Sequence, residues 1–322
     1  MPNLCCSITA RCLIQSWFIS PNAVLRLCAT VLLTAGLFIT GLFATVAPPA
    51  KASAAPSVFQ QGVAAYQKHD YTQAIDAFTQ VIEQGRSPSL AAAYGNRCLV
   101  EVELQAYRRA IADCTHGLAL NPVNTESYLN RGLAYYRISD YAAAIDDYSQ
   151  RLTQVPDDYR AFYNRGLAQA GLDHSAQAIA DYSRAIEITS RFSPRRAAKV
   201  YADRGITYLQ LERYDSALAD FSQAIAHDSA QSDVYFNRAY AAHSLGQDAA
   251  ALSDLKQVLS LDPTHAKTHF NLGMLYYQLG HVEGAIASFE QAAYHFFTQN
   301  NIRDYERVMA ILEQLQTPSA FG

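Results

Sequence analysis

The chain has 322 residues, 50% hydrophobic and 17% charged, with a formal net charge of −4 at pH 7. That is the composition of a folded chain rather than a disordered one. Residues 1–52 hold Arg11, Arg26 and Lys51 and no acid, which leaves 22 basic against 29 acidic groups beyond them. Such a mildly acidic body lacks the clustered cations that binding to phosphate backbones needs, so the reading is no nucleic-acid partner.

In chain order, the first element is the uncharged run "LCATVLLTAGLFITGLFATVA" over residues 27–47, preceded by Arg26 and followed by small residues and proline. A basic flank, an apolar core and small residues at Ala50-Lys51-Ala52 and Ala52-Ser53-Ala54 are the parts of a secretory signal, with cleavage after Ala52 or Ala54. The run is also long enough to span a bilayer. Its Leu, Ile, Phe and Val each favour insertion by about 0.3–0.6 kcal/mol. Residues 1–54 therefore read as a signal peptide or a membrane anchor. Either one exports the rest of the chain to the periplasm, a lumen or the outer face of a membrane. Membrane contact is then confined to this segment, if it is retained.

Beyond it the sequence repeats. A small residue recurs at Gly62, Cys98, Gly132, Gly166, Gly205, Ala239 and Gly273, at intervals of 36, 34, 34, 39, 34 and 34. With that residue as position 8 of a 34-residue unit, position 20 is Ala74, Ala110, Ala144, Ala178, Ala217, Ala251 and Ala285. Position 21 is Ile or Leu, and position 24 is Phe78, Cys114, Tyr148, Tyr182, Phe221, Leu255 and Phe289. Small residues at 8 and 20 let two helices approach closely, and the large group at 24 fills the gap to the next unit. Pro122, Pro156 and Pro263, at position 32, cannot continue a helix and mark the turn between units. One unit alone buries no face; stacking does.

This pattern resembles the tetratricopeptide repeat (TPR) family, whose helix-turn-helix unit has the same 34-residue length. The resemblance implies an all-α, right-handed superhelical solenoid of units 55–88, 91–124, 125–158, 159–192, 198–231, 232–265 and 266–299. The wording "NRG…AI.DY" is similar to TPR proteins of photosynthetic bacteria. Extra residues Ser89 and Leu90, and "SPRRA" at 193–197, fall between units. After the last unit, Ile302, Tyr305, Val308, Met309, Leu312 and Leu315 share one helical stripe, so 300–316 is read as a capping helix and 317–322 as a tail.

Arginine at position 7 (Arg97, Arg131, Arg165, Arg204, Arg238) and aspartate at position 23 (Asp113, Asp147, Asp181, Asp220, Asp254) occur together in units two to six. They are expected to form bidentate ion pairs between the two helices of the same or an adjacent unit. If half-exposed, each would contribute about 0–1 kcal/mol and fix register. Position 6 carries Asn96, Asn130, Asn164, Asn237 and Asn271. In the family the first helix lines a concave groove where such an Asn can hold an extended peptide; bonding to neighbouring backbone is the competing role. Tyr163, Phe236, Phe270, Tyr136 and Tyr277 complete the candidate groove, as aromatic anchors of the kind that dominate binding. A subclass that clamps a C-terminal carboxylate needs Asn at position 9, which here is always apolar or Tyr, so that clamp is not supported.

No phosphate-cradling glycine loop, nucleophile elbow, C-x-x-C or H-E-x-x-H occurs, and neither a cofactor nor a metal is implied. His265 and His269 are the only i,i+4 histidine pair. Cys5, Cys6, Cys12 and Cys28 lie in the leading segment; Cys98 and Cys114, at positions 8 and 24 of unit two, could approach one another after export, but are expected as buried free thiols replacing a glycine and an aromatic. The expectation is a non-catalytic, extracytoplasmic scaffold that holds a protein or peptide in its concave face. The alternative is a TPR accessory subunit of an extracytoplasmic enzyme or transport component, or such a component with an unrecognised site.

Overall fold

A computed structural model describes residues 56–316, apart from 87 and 191–192. Regular structure among them is entirely α-helical. The helices are α1 (Val58–Gln67), α2 (Tyr71–Gln84), α3 (Leu90–Glu103), α4 (Tyr107–Leu120), α5 (Thr125–Arg137), α6 (Tyr141–Gln154), α7 (Tyr159–Gly171) and α8 (Ser175–Thr189). They continue with α9 (Pro194–Gln210), α10 (Tyr214–His227), α11 (Ser232–Ser244), α12 (Asp248–Leu261), α13 (Ala266–Gln278), α14 (Val282–Thr298) and α15 (Ile302–Gln316). Each odd helix from α1 to α13 packs on its successor as a hairpin, and each even helix packs on the next hairpin.

Local chemistry sets the boundaries. Ser57 and Gln60 form a reciprocal capping box at α1, with bonds of 2.9 and 3.2 Å. Asp70 and Asp140 start α2 and α6, their carboxylates accepting from the backbone N–H of Gln73 and Ala143. Inside every hairpin the chain turns through one left-handed residue: His69, Gln105, Ser139, Asp173, Glu212, Gly246 and Gly280, with φ from 56° to 79°. Only the last two are glycine, so the other turns hold a conformation that costs an L-residue about 1–2 kcal/mol. Pro122, Pro156 and Pro263 stand just past α4, α6 and α12. The insertion at 193–197 is absorbed by α9, which starts on Pro194 and runs 17 residues where α5, α7, α11 and α13 run 13.

The position-20 alanines are all at most 1% exposed. A Cβ added at Gly62, Gly132, Gly166, Gly205 or Gly273 would stand 2.7–2.8 Å from the position-24 ring of the same hairpin. Those rings are themselves 0–1% exposed, so close approach of helix to helix defines the core. In the second hairpin the same two places hold Cys98 and Cys114, which are joined as a disulfide with Cα atoms 5.4 Å apart. The expectation of free thiols is corrected. Positions 8 and 24 face each other at the closest point of the hairpin, which is bridging distance for two cysteines.

First helices of neighbouring hairpins touch one another from α1 through α11, and second helices do not to the same degree. The first helices therefore form the inner side of the curve. At the far end α15 packs on α14, burying Val308 and Leu312 with Tyr305, Ile311 and Leu315 half-covered. Ile302 and Met309, expected in that stripe, are exposed, and Ile311 takes part instead. The run 27–47, with the signal or anchor reading of 1–54, and the tail 317–322 lie outside the described residues. Among the described residues no helix is long and apolar enough to cross a membrane.

Candidate partner-binding groove

The arginine–aspartate pairs frame the inner face. Arg131 donates from Nε to Asp147 Oδ2 at 2.8 Å and from Nη2 to Oδ1 at 2.7 Å. The same fork joins Arg97 to Asp113, Arg165 to Asp181, Arg204 to Asp220 and Arg238 to Asp254, always within one hairpin. The third donor, Nη1, reaches back to a hydroxyl on the second helix of the preceding hairpin: Thr79, Thr115, Ser149, Ser183 or Ser222. Each guanidinium also lies 5.5–5.9 Å from the centre of the position-4 ring one turn before it: Tyr94, Tyr128, Phe162, Tyr201 or Tyr235.

Burial changes the energetics expected from sequence. The aspartate side chains are 6–8% exposed and the arginines 17–24%, so these are nearly dry pairs rather than half-exposed ones. Removing one partner would strand a charge at a cost of about 3–5 kcal/mol, although the net worth of an intact pair is far smaller. Burial pushes the Asp147 carboxyl up, and its bonds to Arg131 oppose that shift.

Between α5, α7 and α9 the inner face opens into a cavity of about 420 Å³. Leu129, Asn130 and Leu133 line it from α5, and Tyr159, Arg160, Tyr163 and Asn164 from α7. Arg195, Arg196, Lys199 and Val200 complete it from α9. Tyr163 donates its hydroxyl to Asp203 Oδ2 at 2.6 Å, and burial pushes both groups' pKa values up. At the rim, Arg160 donates to both Asp158 and Glu126, while Arg151 bonds the same Asp158 from the other side.

The sequence-predicted groove residues fall into three groups. Asn130, Asn164 and Tyr163 come together at the cavity. Asn96, by contrast, turns its amide onto the Ala92 carbonyl of its own helix at 2.9 Å. Asn237 and Tyr136 are half-buried, and Tyr277 is exposed; none of the three lines the cavity. Phe236, Phe270 and Asn271 are corrected to core. Phe236 is 8% and Phe270 0% exposed, the latter beneath the capping helix, whose Arg307 stands 5.8 Å from its ring centre. Asn271 is also buried, with both amide atoms lacking a protein partner, beside a void of about 20 Å³. A void of that size is large enough for one water molecule.

The cations of α9 were not predicted as groove residues. Lys199 occupies position 2 of its unit, and Arg195 and Arg196 belong to the insertion. The signal was present: five extra residues before a first helix, two of them arginine, lengthen that helix over its neighbours.

Family profiles described as tetratricopeptide repeat match residues 59–123, 99–158, 129–194, 198–230 and 266–296, and one described as TPR repeat matches 239–280. A serine/threonine-protein phosphatase T of Aspergillus oryzae is 37% identical over 75 residues, which is 23% of this chain and only 15% of that protein. The fold is similar to the C-terminal part of a TPR repeat-containing protein from Cytophaga hutchinsonii, with TM-score 0.63, 16% identity and coverage of 77% and 98% of the two chains. A tetratricopeptide repeat protein from Parabacteroides merdae gives TM-score 0.55 at 19% identity, covering 81% and 98%. YrrB, described as a TPR protein with an unusual peptide-binding site, gives 0.51 at 21%, covering 60% and 96%. At these identities the likeness is one of fold. Repeat spacing, hairpin packing and family profiles agree, and the chain belongs to the tetratricopeptide repeat family.

Proposed function

We propose that the hairpins are seven TPR units forming a non-catalytic scaffold, which holds a peptide or an extended segment of a partner protein on its inner face. The observation that carries this reading is the cavity between α5, α7 and α9, where Asn130, Asn164 and Tyr163 converge. The Asn130 and Asn164 amides make no protein hydrogen bond among the described residues, so their donors and acceptors are open to a bound backbone. Peptide binding by a solved protein of the same fold is consistent with it.

The scaffold works on the extracytoplasmic side of a membrane, in complex assembly or envelope maintenance, with residues 1–54 as signal or anchor. Two features support this location: the acid-free leading segment and the pairing of Cys98 with Cys114, a bond that persists in oxidising compartments. In intact cells both thiols should resist alkylation until a reductant is added. Ready labelling without one would count against export.

The groove is tested with a photo-crosslinking residue in place of Leu133, and a control on the outer helix α8 at Ala180. The inner probe should capture a protein that the outer probe does not. Asn130→Ala with Asn164→Ala should abolish capture while the helical circular dichroism stays unchanged. Equal capture from both faces would end the reading.

A further inference from the structure

The cavity is not neutral. Arg196 stands with its guanidinium carbon 5.4 Å from the Tyr159 ring centre, and Lys199 with its ammonium 5.6 Å from that of Tyr163. Both side chains are exposed, and neither forms an ion pair among the described residues. Arg195, 85% exposed, meets Asp228 only at 3.5 Å. Of the carboxylates nearby, Asp158 and Glu126 are neutralised by Arg160 and Arg151, while Asp203 accepts from the neutral Tyr163 hydroxyl and lends its charge to Lys199. Arg196 thus has no ion-pair partner among the described residues, and Lys199 faces only the Asp203 carboxylate, on a chain whose body is acidic overall. The ring faces beneath them hold them over the cavity at little further entropic cost on binding.

Their origin matters. Arg195 and Arg196 sit in the extra N-terminal turn that the insertion adds to α9, and no other first helix has that turn. A solenoid needing only register and stability has no use for an unpaired Arg196 at an added turn over a cavity.

We infer that this cavity is specific for an acidic peptide segment, whose Asp or Glu side chains sit on Arg196 and Lys199 while its backbone bonds Asn130 and Asn164. The inference rests on the scaffold reading and sharpens it from any extended peptide to an anionic one. Charge complementarity also directs the encounter, because the rest of the surface repels an acidic chain.

The test is selection of a displayed random peptide library on three full-length proteins: the wild type, Arg196→Glu with Lys199→Glu, and Asn130→Ala with Asn164→Ala. The wild type should enrich sequences rich in Asp and Glu. Synthetic versions should bind it about tenfold more tightly than their Asn and Gln counterparts, and lose that margin as salt is raised. The charge-reversed protein should lose the preference or turn to Lys and Arg, and the asparagine variant should bind every selected peptide weakly. If the selected peptides are neutral and depend on the two asparagines but not on the two cations, the acidic specificity is overturned and the scaffold reading survives. If no enrichment depends on any of the four residues, both fall. Binding to vesicles of phosphatidylcholine and phosphatidylglycerol that is lost on charge reversal, with no acidic peptide selected, would assign the cations to a lipid surface instead.

Discussion

Hairpins two to six and the seventh hairpin solve the same packing problem differently. In the former an arginine grips the aspartate opposite and a hydroxyl of the hairpin before. In the seventh, Leu272 and Ser288 take the places of arginine and aspartate, and Lys256 on α12 replaces the hydroxyl. There α12 meets α13 less extensively than even helices meet their successors elsewhere, and the orphaned Asn271 amide and its small void lie at that junction. The seventh hairpin relies instead on aromatic burial under α15, through Phe270, Phe289 and Phe296. Polar forks make interior units copy-like, whereas an end unit can spend its inner face on apolar cover.

This comparison can be broken at several points. The largest effect is expected from Asp181→Ala, which strands Arg165 and should cost about 3–5 kcal/mol in urea unfolding. Replacing both by Met and Leu should cost far less. If Asp181→Ala is as mild as Ser288→Ala in the seventh hairpin, breaking a fork strands no buried charge. Next, reducing the Cys98–Cys114 bond, or Cys98→Ser with Cys114→Ser, should cost about 2–4 kcal/mol. Cys98→Gly with Cys114→Tyr, which restores the contact used by hairpins three and four, should recover most of that loss. Third, Gly166→Ala should cost about 1–3 kcal/mol through overpacking against Tyr182. Ala239 occupies the same place in hairpin six, opposite Leu255, without a ring in the way.

The smallest effect concerns pH. Burial, and then the charge of Asp113, push the Glu101 carboxyl up to about 7. The folded chain therefore holds a proton there that the unfolded chain releases above its ordinary value of 4.5. Stability from this group is fully present below that value and is lost as pH rises toward 7. Glu101→Gln should flatten the fall in melting temperature between about pH 5 and 7, a result that an unshifted carboxyl would not give.

The repeat length, the buried alanines and the fork partners were all readable, because each follows from a position recurring in register. Other features were hidden by the same regularity. The hydroxyls at position 25 of units one to five run one unit ahead of the arginines they serve, so a reading within units cannot see them. Phe236 and Phe270 share position 5 with Tyr163, and periodicity alone does not say which is roofed over. Phe270 is core because α15 lies against it, which is a property of the chain end rather than of the repeat. The disulfide was legible only as an alternative to buried free thiols, because the sequence does not say how closely positions 8 and 24 face each other.

The backward reach of each arginine has a mechanical consequence. From α2 to α12 every boundary between hairpins is spanned by a side chain anchored on both sides, so a pull on the two ends meets a series of interlocked clasps. Rupture is expected to begin at the boundary before α13, which has no arginine fork and is spanned by Lys256 over the Tyr276 ring instead, and to peel the final hairpin and its cap away while the remainder holds.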